Sequence, residues 1–216
     1  MDNVAFVPLR LNSKRVPGKN LRRLGDRALC WYVFEHLLAA KVYDAVYAFC
    51  SDESVMQHVP RGVEFIPRTT GLDGDLVRGL QIYLAFADAV HASVYTLAHA
   101  TSPFVTSETY ARATKAVCSG RYDSAFSVER KQTFCWYKGT PLNYSFTEIP
   151  RTQELEPVFV ETSGFYIFRR EILVNHKRRI GFTPLMVELS PLEALDIDEE
   201  QDFALAVALL QSTARQ

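Results

Sequence analysis

Val4-Ala5-Phe6-Val7-Pro8-Leu9-Arg10-Leu11-Asn12-Ser13-Lys14-Arg15-Val16-Pro17-Gly18-Lys19-Asn20 decides the fold of this chain. The apolar run Val4–Val7 reads as a fully buried strand, the kind that opens a parallel sheet. It empties into a loop with Arg10, Lys14, Arg15 and Lys19, and with Arg22 and Arg23 just beyond; Asp2 and Asp26 are the nearest acids. Open α/β sheets bind their ligands at the carboxyl ends of such strands. Dense positive charge with Ser13, Gly18 and Asn20 suits a polyphosphate, which needs cations and many donors. A basic cluster is more often a solvated loop, but its place after the first strand favours phosphate binding.

Outward from there, strand and helix patterns alternate through the first two-thirds of the chain, as βαβ proteins require. Val46–Cys50, Glu64–Pro67 and Val94–Ala98 read as further strands. Helical spacing runs over Leu29–Ala40, Ser54–Val59, Asp75–Val90 and Ser107–Cys118, with a last helix from about Glu199 to Gln211. From about residue 124 the character shifts: Ser124–Val128, Thr133–Tyr137 and Val158–Phe168 are aromatic and β-branched. The expected fold is therefore α/β, a doubly wound and mostly parallel sheet, with a strand-rich insertion at about 125–165. That insertion would cover the site or pair with a second subunit. Residues 1–216 read as a single domain.

Composition sets the outer limits. The apolar share is 48% and the charged share 23%, ordinary for a globular protein with a sizeable core. A net charge of −1 argues against general nucleic-acid binding. No segment approaches the length of a membrane span, and the first residues lack the layout of a signal peptide. Cys30, Cys50, Cys118 and Cys135 are widely spaced, which fits free thiols in a reducing cytoplasm rather than disulfides or a zinc site. The expected location is cytoplasmic.

Two further stretches carry chemistry. In Asp196-Ile197-Asp198, residues two apart share a side when extended, so the two carboxylates would project together while Ile197 points inward. Paired carboxylates with substrate phosphates are the usual setting for Mg2+. Alone, the pattern is more often a helix cap, with Glu199, Glu200 and Asp202 complementing the dipole. The phosphate loop tips the balance toward metal at Asp196 and Asp198. His99-Ala100-Thr101-Ser102-Pro103 ends a buried strand on the same edge and could read a base or ribose; otherwise it is a turn before the next helix. No Gly-x-Ser-x-Gly elbow, dinucleotide fingerprint or Walker loop is present, which disfavours acyl-transfer hydrolases, nicotinamide dehydrogenases and P-loop kinases.

These residues resemble a known family. Arg10-Leu-Asn-Ser13-Lys14-Arg-Val-Pro-Gly-Lys19-Asn20 is similar to the Arg-x-x-Ser-Lys-x-x-x-x-Lys-Asn signature of the acylneuraminate cytidylyltransferases, the CMP-sialic acid synthetases. Ser51-Asp52, His99-Ala-Thr101-Ser102-Pro103, Arg151-Thr-Gln153 and Asp196-Ile-Asp198 resemble later landmarks of the same family, in order. The resemblance implies a Rossmann-like nucleotidyltransferase fold, a homodimer, and transfer of CMP from CTP to an acidic sugar with release of pyrophosphate. It implies catalytic roles for Arg10, Lys14, Lys19 and Asp198, and nucleotide binding by Arg10, Ser13, Lys14, Asn20, Arg68, His99, Thr101 and Ser102. Arg151, Gln153 and Glu161 fall to the acceptor, and Asp196 and Asp198 to Mg2+.

The chain departs from the family pattern mainly around the acceptor. His99 replaces a Gln, and Glu161-Thr-Ser-Gly164 lacks the family's Arg. An Arg is the expected partner of a sugar carboxylate, because its fork binds bidentately. Acceptors other than sialic acid are therefore open: Kdo-like sugars, legionaminic or pseudaminic acid, or a phosphonate. A metal-dependent glycosyltransferase and a non-catalytic nucleotide-binding subunit are the rival classes, both disfavoured by the complete set of cations and acids.

Overall fold

The structure is a computed structural model, and residues 2–11, 13 and 15–213 are described. Its elements run β1 (Asn3–Pro8), β2 (Arg23–Leu24), β3 (Arg27–Ala28), α1 (Leu29–Ala39), β4 (Ala45–Cys50), β5 (Val63–Pro67), α2 (Gly79–Ala89), β6 (Val94–Ala98), α3 (Ser107–Cys118), β7 (Ser124–Lys131), β8 (Trp136–Tyr137), β9 (Thr140–Pro141), β10 (Val158–Arg169), α4 (Arg170–Val174), β11 (Pro184–Glu188) and α5 (Glu200–Thr213). Seven strands form one sheet in the order β11-β7-β10-β6-β1-β4-β5. All run parallel except β10, which lies antiparallel between β6 and β7.

The apolar run of the first strand explains its central place. Val4 and Phe6 face one side of the sheet while Ala5 and Val7 face the other, and all four are fully buried. One face carries α1 and α3 through Val33, Phe34, Leu37, Tyr110 and Val117. The opposite face carries α2 and α4. There Phe86 stacks on Phe6 with ring centroids 4.0 Å apart and meets Phe49 and Tyr95 edge-on. A smaller cluster of Leu24, Leu29, Ile197, Phe203 and Ala206 packs α5 against the start of α1.

The chain adds β4 and β5 on one side of β1 and then returns to the other side for β6. This reversal opens a crevice between the loops that leave β1 and β6, the place where doubly wound sheets take ligands.

Three expectations change in detail. The helix expected from Asp75 begins only at Gly79, because Thr70–Asp73 forms a 3-10 turn and Asp75 pairs with Arg10. The segment after β4 is a 3-10 helix, Glu53–His58, with Asp52 accepting from the Ser54 amide. Much of the strand-rich stretch belongs to the main sheet, since β7 and β10 pair along their lengths. What leaves the sheet is the arm between them, residues 132–157, with the short β8–β9 ladder. Cys30 and Cys50 are buried, Cys118 is exposed, and the thiols are free. Among the described residues no helix is long and apolar enough to cross a membrane.

Phe86 touches four aromatic rings at the centre of one face. Phe86→Ala is expected to lower unfolding stability by about 3–5 kcal/mol, the usual cost of deleting a buried aromatic, read by urea denaturation.

Candidate active site

The loop after β1 is shaped by its backbone. Gly18 sits in the left-handed region at φ 63°, where a side chain would be strained, and caps the 3-10 turn Lys19–Leu21. That turn sends Lys19 inward, where its side chain is only 10% exposed. The ammonium donates to the Ile197 carbonyl at 2.6 Å and to Asp198 Oδ1 at 3.2 Å. Arg15 reaches the same carboxylate oxygen at 2.9 Å. Asn20 donates to the Arg10 carbonyl at 2.8 Å and so folds the loop on itself. Lys14 lies outside the described residues.

On the other side of the crevice, the Ile197 amide donates to the Thr101 carbonyl at 2.8 Å, which ties the Asp-Ile-Asp segment to the loop after β6. Ile197 is fully buried, as its place between two acids suggests. Asp198 does not cap α5. Asp202, in the first turn, reaches back to accept from the amides of Asp198 and Glu199 at 2.9 and 2.8 Å. This leaves the Asp198 carboxylate for the cations. Asp196 is held by the Thr101 side chain and has one buried oxygen, Oδ1, with no partner. Burial, reinforced by the nearby Asp198 charge, pushes its pKa up.

An orphaned carboxylate oxygen beside a second carboxylate is the arrangement a small hard cation would complete. No group of three or more His, Cys, Asp or Glu that could hold a metal occurs among the described residues. Asp196 and Asp198 are the two carboxylate donors this segment offers, so an ion held there would need its remaining ligands from outside the chain.

A cavity of about 370 Å³ lies between these walls, lined by Pro8, Arg10, Ser13, Arg15, Lys19, Asn20, Asp75, His99, Ala100 and Thr101. Arg10 crosses it to donate to the Asp73 carbonyl and Asp75 Oδ1, both at 3.1 Å. Arg68 lies beneath rather than on the surface. Its side chain has no exposure and donates to the Leu9 carbonyl at 2.7 Å and to Asp73 Oδ1 at 2.6 Å. It fixes the exits of β1 and β4 and the turn carrying Asp73. Ser102 is 2% exposed and its amide donates to the His99 carbonyl at 3.2 Å, so it shapes the turn.

His99 is half-buried at the cavity wall. Its Nδ1 bonds the carbonyl of Ser163, a residue with φ 61° at the bulge in β10. That bond makes Nδ1 the protonated nitrogen and leaves Nε2 as an acceptor. Burial pushes the imidazole pKa down, and the charge of Arg179 acts in the same direction.

Three acceptor candidates stand apart from this cavity. Arg151 and Gln153 sit on the exposed arm, where Arg151 is paired with Glu154 and the Gln153 carbonyl accepts from Gln132. Glu161 accepts from Arg179 at 2.6 Å and from the Tyr166 hydroxyl. Sequence reasoning misses the counter-ions Asp73 and Asp75 and also Arg179; the run Lys177-Arg178-Arg179 is the available signal for the last.

A folded-state His pKa below its ordinary value means that the unfolded chain binds the proton first. Stability linked to His99 is complete above about pH 6.5 and is lost as pH falls through the folded pKa. The His99 ring is expected to titrate below the ordinary imidazole range when followed by ring NMR shifts; a midpoint at or above that range would exclude the acceptor role of Nε2 near neutral pH.

The chain is 25% identical over 213 residues to N-acylneuraminate cytidylyltransferase A of Danio rerio, covering 94% of this chain and 49% of that one. It thus spans about half the length of that relative. It is 27% identical over 198 residues to the 3-deoxy-manno-octulosonate cytidylyltransferase of Synechococcus elongatus, covering 84% and 80% of the two chains. Among solved structures, a CMP:2-keto-3-deoxy-manno-octonic acid synthetase complexed with CTP superposes with a TM-score of 0.73 at 15% identity, covering 99% of this chain and 100% of that one. A 4-diphosphocytidyl-2C-methyl-D-erythritol synthase from Anaerococcus prevotii gives 0.67 at 10% identity, covering 97% and 96%. Those two likenesses establish the nucleotidyltransferase fold. The sequence profile of the family described as Cytidylyltransferase matches residues 4–215, and the chain belongs to that family.

Proposed function

We propose that this protein transfers CMP from CTP to an acidic sugar and releases pyrophosphate. The observation that carries the reading is that Arg10, Arg15 and Lys19 of the first loop line one cavity, while Asp198 of the last segment bonds Arg15 and Lys19 and Asp196 lies within reach of the Lys19 charge. A nucleoside triphosphate brings its own negative charge to such a site and would draw the cations away from Asp75 and Asp198. The relatives supply the acceptor class, since the two curated names quoted above both denote acidic sugars.

In the reaction a sugar hydroxyl oxygen bonds to the α-phosphorus while the bond from that phosphorus to the bridging oxygen of the β-phosphate breaks. The hydroxyl proton passes to a site carboxylate or to water. Negative charge builds on the departing pyrophosphate, so catalysis is chiefly positioning and charge neutralisation. Arg10 and Lys19, with Arg15, receive the phosphates. Ser13 and Asn20 supply donors, and the backbone held by Arg68 and Ser102 keeps the base end rigid. His99 Nε2 and Thr101 offer contacts to the nucleoside. Asp196 and Asp198 would hold Mg2+, whose chemistry is to offset phosphate charge at the reacting centre.

The arm is part of the same reading. Phe134, Trp136, Tyr137, Leu142, Phe146 and Ile149 are all exposed, with Trp136 and Phe146 stacked edge-on. An apolar surface of that kind suits a second copy of the chain, so we propose a homodimer built on the arm.

Pyrophosphate release is expected to require CTP and an acidic sugar, with ATP, GTP and UTP inactive. Consumption of a ready-made CMP-sugar without pyrophosphate formation would favour a glycosyltransferase, and binding of CTP without turnover across the acids would favour a binding subunit. Lys19→Ala and Asp198→Ala are each expected to cut turnover about 100-fold, the scale seen when one transition-state contact is removed. Near-normal rates in either would take that residue out of the mechanism. Light scattering is expected to give twice the chain mass, falling to one when Trp136 and Phe146 are both changed to Ser.

A further inference from the structure

A separate hollow of the molecule carries two cations. It measures about 270 Å³ and is lined by Gly79, Leu80, Tyr83, Lys177 and Arg179. Gly79 and Leu80 form the first turn of the 11-residue α2, whose leading amides have no partner within the helix. Two cations and a helix N-terminus make this hollow anion-seeking.

Arg179 connects the hollow to the active site. Its guanidinium lies over the Tyr166 ring, 3.9 Å from the centroid, and bonds Glu161 Oε1 at 2.6 Å. The Tyr166 ring in turn meets the His99 ring edge-on, with centroids 6.1 Å apart. His99 lines the nucleotide cavity, and the charge of Arg179 is felt at its imidazole. The Glu161–Arg179 pair is partly exposed, with each side chain 37% accessible. Pairs of that kind contribute little net stability, so one carboxylate can replace another at small cost.

We propose that Arg179, supported by Lys177, receives the carboxylate of the acceptor, and that Glu161 occupies its fork until the acceptor arrives. This rests on the cytidylyl-transfer reading and specifies its acceptor end. It also supplies a cation for the acid where Glu161 stands in the strand and Arg151 sits out on the exposed arm beside Glu154. The stacked guanidinium is preorganised for bidentate contact, which a lysine at the same place would not reproduce.

The test is steady-state pyrophosphate release with N-acetylneuraminate and with Kdo, for the wild type and for Arg179→Gln, Arg179→Lys, Glu161→Gln and Arg151→Gln. CTP affinity and thermal midpoint are measured in parallel. Arg179→Gln is expected to raise the KM of the acid that is used at least tenfold, with CTP affinity within twofold of wild type. Arg179→Lys is expected to raise it at least threefold. Glu161→Gln is expected to lower it, because the place-holding carboxylate is gone; a merely structural role for the pair would raise it. An unchanged KM in the Arg179 variants, or a rise confined to Arg151→Gln, would overturn the proposal and leave cytidylyl transfer standing. Should Arg179→Gln fail to fold, Arg179→Lys decides the question by the same criterion. A wild type that binds CTP and uses neither of these acids nor legionaminic or pseudaminic acid would overturn the acidic-sugar reading, and this assignment with it.

Discussion

The Lys19 ammonium holds the two ends of the chain to one point. It comes from the loop after the first strand and ends on the Ile197 carbonyl and the Asp198 carboxylate, 178 and 179 residues away. A nearly buried ammonium is costly unless its donors are taken up, so this contact fixes the register between the first loop and the last segment. Arg15 adds to it from the rim. Ile197, locked in its own apolar cluster and bonded to Thr101, keeps the acidic segment from following the lysine outward. The walls of the cavity are thus set by the core and not by the loops alone.

The site is also internally neutralised. Arg10 rests on Asp75, Arg68 on Asp73, and Lys19 and Arg15 on Asp198. The pairs differ in kind. The buried Arg68 pair is a fixture, because removing one partner would strand a charge. Those of Arg10 and Arg15 lie partly in solvent and can exchange their acids for a ligand at small cost. Burial therefore sorts the same residue type into framework and working groups.

That sorting explains what can be read from the sequence. The strand of Val4–Val7, the basic loop and the Asp-Ile-Asp segment are local patterns, and each declares both its structure and its side of the sheet. Arg68 falls to the nucleotide by family resemblance, which carries a residue's place in the chain but not its depth in the fold. Asp75 reads as the start of a helix because its partner lies 65 residues away. Arg151 is the nearest arginine to the expected register, yet the arm carries it out to Glu154, while Arg179 arrives from a distant loop across the face of Tyr166. Position along the chain locates elements well and cross-sheet neighbours poorly.

β10 differs from its neighbours in more than direction. Its first residues, Val158–Glu161, pair with β7 at the root of the arm, its bulge presents the Ser163 carbonyl to His99, and its last residues anchor beside β6. One continuous strand thus runs from the root of the arm, past the site, to its antiparallel pairing with the start of β6 inside the sheet. A strand resists stretch, so displacement at its root has only the irregular stretch 162–165 in which to be absorbed. The root of the arm and the carbonyl that orients the His99 ring are thus carried on the same strand.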